Sequence, residues 1–166
     1  PLRLELSLFA DQLSTRWTQL EHLDLTLHST PATNAGAGFF TSELVGGAKG
    51  VVTEWARLTN ATFSAKAEHR VEGALTNWLP ANAELGLQAE GVGTQWAQAG
   101  RLELTGHGRP APVGPARGLE AWWSRLEPFE FGASLLVSNF TMPKLAIDSA
   151  GLTLDWREGR MSIRDL

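Results

Sequence analysis

The chain has 166 residues, 43% hydrophobic and 19% charged, which fits one folded domain and excludes a disordered polymer. A net charge of −4 with no basic block argues against duplex nucleic acid as a partner. The absence of cysteine excludes a disulfide framework, a thiol nucleophile and Cys-type zinc sites, and the longest purely aliphatic run, Leu135-Leu136-Val137, is too short to span a bilayer.

Strand patterning begins at the first residues. Leu2, Leu4, Leu6 and Leu8 alternate with Arg3, Glu5 and Ser7, which predicts a strand. Leu23, Leu25 and Leu27 alternate with polar residues, and His22, Asp24 and His28 fall on the opposite parity, so one face of this strand is wet. Ala65 and Ala67 extend a strand after Phe63, and Ala83, Leu85, Leu87 and Ala89 form another. Leu145 with Ile147, Leu152 with Leu154, and Met161 with Ile163 mark the last strands. Pro31 to Gly38, Gly46 to Gly50 and Gly106 to Pro115 read as connecting loops because glycine and proline are depleted in strand interiors.

A tryptophan recurs within a fixed frame. Ala10, Leu13, Thr15, Trp17, Leu20, Leu23 and Leu25 align with Ala48, Val51, Thr53, Trp55, Leu58, Ala61 and Phe63. They align again with Ala89, Val92, Thr94, Trp96, Ala99, Leu102 and Leu104. A fourth copy reads Ala116, Leu119, Ala121, Trp123, Leu126, Phe129 and Phe131, and a degenerate fifth surrounds Trp156. Successive tryptophans of the four copies stand 38, 41 and 27 residues apart. The copies lie near residues 10–30, 48–68, 89–108 and 116–135, with the fifth near 149–166. Two alternating runs on either side of a short gap predict a β-hairpin per copy. The spacing about each tryptophan also fits a helical stripe, most closely in the fourth copy. Gly91 and Gly93 argue against a helix in the third. Trp17, Trp55, Trp96 and Trp123, at a constant repeat position, are expected to be packing residues.

The fold expected is therefore all-β: about ten antiparallel strands in sequential hairpins, forming a curved sheet or groove. A closed β-sandwich or jelly roll is the alternative. Both ends break off within strand pattern, Pro1 at one and Met161 to Leu166 at the other, which predicts that residues 1–166 are one β-repeat segment of a longer protein. Neighbouring repeats of that parent chain would then be partners.

No constellation for catalysis, cofactor or metal is evident, so the chain reads as non-enzymatic with no cofactor. His22, His28, His69 and His107 form no His-x-x-x-His pair. Gly46-Gly47-Ala48-Lys49 lacks the spacing of a phosphate loop, and no Gly-x-Ser-x-Gly elbow occurs. Glu127 and Glu130, bracketed by aromatic residues, look like the wet side of a strand rather than a glycosidase pair.

Hairpins built on Thr15-Arg16-Trp17, Thr53-Glu54-Trp55 and Thr94-Gln95-Trp96, with the strands that follow each, resemble the AsmA/TamB-type proteins of the bacterial envelope. The resemblance is one of pattern and covers most of the chain. It implies a periplasmic β-groove that handles or transports lipid between membranes, with a phospholipid or other apolar ligand on its inner face. Leu23, Leu25, Leu27, Phe63, Leu102, Leu104, Phe129 and Phe131 are the candidate groove residues. A carbohydrate- or protein-binding β-sandwich module, using exposed tryptophans, is the alternative function.

Overall fold

The computed structural model describes residues 3–31, 39–70, 80–110, 129–157 and 160–165. They form nine antiparallel strands: β1 (Leu4–Ser14), β2 (Thr18–Pro31), β3 (Phe39–Thr53), β4 (Ala56–Arg70), β5 (Asn82–Thr94), β6 (Gln98–Pro110), β7 (Phe129–Met142), β8 (Leu145–Arg157) and β9 (Arg160–Asp165). Each strand pairs with its sequence neighbours, giving one sheet in the order β1 to β9. The sheet is curved and open, and β1 and β9 are its free edges. The all-β hairpin meander expected from the alternation is present, with nine strands among the described residues. A single open sheet replaces the sandwich alternative.

Strand lengths of 13 to 15 residues in β2 to β8 exceed the common five or six. Two of the expected loops account for part of this length. Gly46 to Gly50 lies inside β3, and Gly106 to Pro110 lies inside β6. At Gly46 a methyl group would stand 2.6 Å from Leu25 Cδ2 and 2.7 Å from Phe63 Cζ. Glycine is there because two neighbouring side chains lie over it, not because the chain turns. Residues 32–38, 71–79 and 111–128, which include the remaining expected loops and Trp123, lie outside the described residues.

The connections at one end of the sheet are two-residue turns, and three of them are held alike. The Thr15 hydroxyl donates to the Thr18 carbonyl at 3.1 Å and accepts from the Trp17 and Thr18 amides at 3.2 and 3.0 Å. Thr53 makes the same three bonds with Ala56, Trp55 and Ala56, at 3.0, 3.3 and 3.0 Å. Thr94 repeats them with Ala97, Trp96 and Ala97, at 3.2, 3.2 and 3.0 Å. One hydroxyl has one donor and two acceptor sites, so each threonine is fully used. The turn between β7 and β8 is Pro143-Lys144, closed by the Met142–Leu145 pair. It contains neither threonine nor tryptophan.

Register is constant throughout. The turn-flanking residues Thr15, Thr18, Thr53, Ala56, Thr94, Ala97, Met142 and Leu145 fall on one row across β1 to β8 (from the pairings Ser14↔Gln19, Thr18↔Thr53, Ala56↔Thr94, Gln98↔Thr141 and Met142↔Leu145). Three rows inward, every ladder from β1/β2 to β7/β8 skips a pairing. That row holds all four left-handed residues of the described strands: Gln12 at φ 54°, Gly50 at 59°, Gly91 at 60° and Asn139 at 52°, one in each odd-numbered strand from β1 to β7. The apolar pattern changes phase at the same row. Ala10 is followed by Leu13, Ala48 by Val51, Ala89 by Val92 and Val137 by Phe140, a step of three where the strand body steps by two. A left-handed residue breaks the pleat there, as in a bulge.

Two predictions follow from these devices. Gly91→Ala forces a side chain into the left-handed region and against Thr59 Oγ1, and is expected to destabilise the chain by about 1–2 kcal/mol, read from the urea midpoint. Thr53→Val removes all three turn bonds and should lower stability by about 1–2 kcal/mol, whereas Thr53→Ser keeps the hydroxyl and should fall within ~0.5 kcal/mol of the parent.

Candidate functional site: an apolar sheet face and a tryptophan rim

Directly paired residues of an antiparallel ladder stand on the same face, so the register sorts every side chain. One row runs Leu8, Leu25, Gly46, Phe63, Leu87, Leu104, Leu135, Leu152. The next runs Leu6, Leu27, Leu44, Ala65, Leu85, Gly106, Ala133, Leu154, Ile163. From β1 to β8 neither contains a polar residue, and on β9 the first row reaches Asp165. The rows on either side end in Phe131, Trp156 and Met161, and in Leu102, Val137 and Ala150. All eight candidate groove residues fall on this face, in β2, β4, β6 and β7. Small residues concentrate in its middle: Ala61, Ala65 and Ala67 on β4, Ala83 and Ala89 on β5, Gly106 and Gly108 on β6. Larger side chains stand among them at Phe63, Leu85, Leu87, Leu102 and Leu104, as well as toward both flanks.

Ring contacts tie this face locally. Phe40 stacks on His69 with centroids 4.7 Å apart, and Phe131 stacks on Trp156 at 5.9 Å. Trp156 therefore sits in the body of β8 and not at a turn, unlike the tryptophans of the first three copies.

The opposite face is polar and carries the charge. A typical row reads Glu5, His28, Glu43, Lys66, Glu84, His107, Gly132, Asp155, Ser162. His22 Nδ1 meets Asp11 Oδ1 at 2.5 Å, and Arg109 holds Glu130 through Nε and Nη2 at 2.9 and 2.8 Å. Arg101 and Glu103 pair at 2.6 Å. His22 and His28 lie on this wet face, as their parity predicted. No group of three or more potential metal ligands occurs among the described residues. Glu127 lies outside them.

No second layer covers the apolar face among the described residues. They contain no large side chain that is fully buried, and the only buried hydrophobic residues are Ala89 and Ala99. Leu6 and Leu8 on β1 are each 55% exposed, and Ile163 on β9 is 56% exposed. Nine strands at a spacing of about 4.8 Å make the face ~38 Å wide, and four alternate rows span ~20 Å along the strands. That makes a largely apolar face on the order of 800 Å², interrupted at Ser29 and Ser42 in the row that begins at Leu4, where a soluble monomer leaves a few hundred uncovered.

The tryptophans of the three threonine turns are exposed rather than packed. Trp17 is 69% exposed, and Trp55 and Trp96 are each 66% exposed. They occupy the turns themselves, beyond the last strand pair, where no neighbouring strand reaches them. Their constant spacing is a property of the turn, which explains why it looked like a packing position in the sequence. No helix among the described residues is long and apolar enough to cross a membrane. No protein-family model, curated protein or solved structure matches this chain.

Proposed function

We propose that this chain is a non-enzymatic β-sheet segment whose apolar face takes up lipid acyl chains, in the manner expected of an AsmA/TamB-like groove in the bacterial envelope. The observation that carries this reading is the pair of rows that run from β1 to β8 without a polar residue and without a covering layer among the described residues. Acyl chains suit such a surface for two reasons. They are long and unbranched, so they can follow a row across several strands. They also need only desolvation, worth about 25 cal/mol per Å² buried, and no hydrogen-bond partner. The small residues of β4 to β6 leave room beside the larger side chains of the same strands, Phe63, Leu87 and Leu104 among them. On the other face, the carboxylates, the arginines and His22, His28 and His107 stay in water. The process is passive transfer or holding, with no chemical step.

Incubation with phosphatidylethanolamine/phosphatidylglycerol vesicles, separation of vesicles from protein, and native mass spectrometry test the proposal. Phospholipid is expected to remain bound at defined stoichiometry. Leu25→Asp and Leu104→Asp, each placing a carboxylate in the same apolar row, should abolish it. Ser64→Asp, on the opposite face, should leave it intact and serves as the folding control. A mass that stays lipid-free for the parent chain would overturn the reading.

A further inference from the structure

The tryptophan rim has a geometry that the apolar face does not explain. Trp17, Trp55 and Trp96 lie one residue beyond a single pairing row, on alternate gaps of the sheet. Because register is constant, no hairpin projects further than its neighbours. Successive turns are two strands apart, about 9.6 Å. The three indoles thus form a line ~19 Å long at one level, each held by the same threonine bonds and each two-thirds exposed. A level line of exposed indoles addresses a flat, extended surface rather than a pocket.

The charge on this rim has the opposite sign from that of the chain. Arg16, Arg57 and Lys144 stand in or beside the turns against a single carboxylate, Glu54, whereas the whole chain carries −4. At the fourth turn Met142 and Leu145 continue the apolar line, 41% and 47% exposed. Indole combines an apolar ring with one N–H donor, and it concentrates at the depth where acyl chains meet headgroups. Lysine and arginine beside it are drawn to anionic headgroups.

We propose that the turn rim docks on the surface of an anionic lipid bilayer, with Trp17, Trp55 and Trp96 inserted at headgroup depth and Arg16, Arg57 and Lys144 against lipid phosphates. The sheet then stands on its turns, and its strands run away from the bilayer. This proposal rests on the turn geometry and not on lipid uptake by the apolar face.

Flotation of the intact chain with vesicles of phosphatidylcholine and phosphatidylglycerol tests it. The parent chain is expected to float with mixed vesicles and to bind pure phosphatidylcholine more weakly. Replacing all three rim tryptophans by serine should weaken binding about tenfold or more. The triple Trp→Tyr variant, which retains amphipathic rings, should recover much of it, and matching circular dichroism spectra would show that the variants are folded. Lipids brominated near the carbonyl end of the acyl chain should quench parent fluorescence and lose much of that effect in the serine variant. Leu25→Asp, which removes lipid from the apolar face, should float like the parent, so the two readings fail separately. The proposal is overturned if the serine variant floats as well as the parent, or if Leu25→Asp abolishes flotation while the serine variant does not.

Discussion

Everything in this structure depends on a register that never slips. Side chains alternate with a period of two along each strand, so a sheet has a pure apolar face only if every ladder keeps the same phase. Here the turns enforce it. Each threonine hydroxyl spends its donor and both acceptor sites inside a four-residue loop, which leaves the hairpin no freedom to gain or lose a residue. The left-handed residues occupy one row for the same reason. If a break in the pleat occurred at different heights in adjacent strands, the apolar rows would cross to the wrong face. Aligned, it changes the phase of all eight long strands together.

That precision produces a sheet with two unlike sides and little interior. Globular proteins stabilise long strands by burying large side chains between layers. In the described residues, cohesion comes instead from backbone ladders, from side chains lying over small neighbours such as Gly46 and Gly132, and from ion pairs on the wet face. The exposed leucines of the edge strands are unfavourable in water. A surface of this size and continuity is therefore best understood as one that meets something apolar, which is the basis of the proposed lipid role.

Much of this architecture was legible in the sequence, and the failures share a cause. The leucine alternation of β1 and β2 is unambiguous because large apolar residues occupy every second position. The glycines of β3 and β6 were misleading, since a breaker residue and a residue beneath a neighbour's ring look the same in one dimension. Gly46 shows this most clearly: its partners Leu25 and Phe63 lie 21 and 17 residues away. The three-residue step from Ala10 to Leu13 was visible but resembled a helical spacing. Only its recurrence on paired rows shows it to be a pleat break. The tryptophans marked the hairpins but hid the one without tryptophan. The β7–β8 turn at Pro143-Lys144 shares its row with the threonine turns and has none of their residues, so a pattern anchored on tryptophan passes over it. The exposure of Trp17, Trp55 and Trp96 was not legible, because a conserved spacing says that a residue matters to a turn and not which way its ring is solvated.

The constant register also sets the unit in which such a protein can change over time. Inserting or deleting one residue within a strand body would exchange the two faces for the rest of that strand and put carboxylates among leucines. Duplicating or removing a whole hairpin would preserve every remaining row, since each hairpin begins and ends at the same height. Small length changes are therefore severe and large ones mild, the reverse of the usual order for a folded domain. A lineage carrying this fold would be expected to vary in width by pairs of strands while the length of its strands stays nearly fixed.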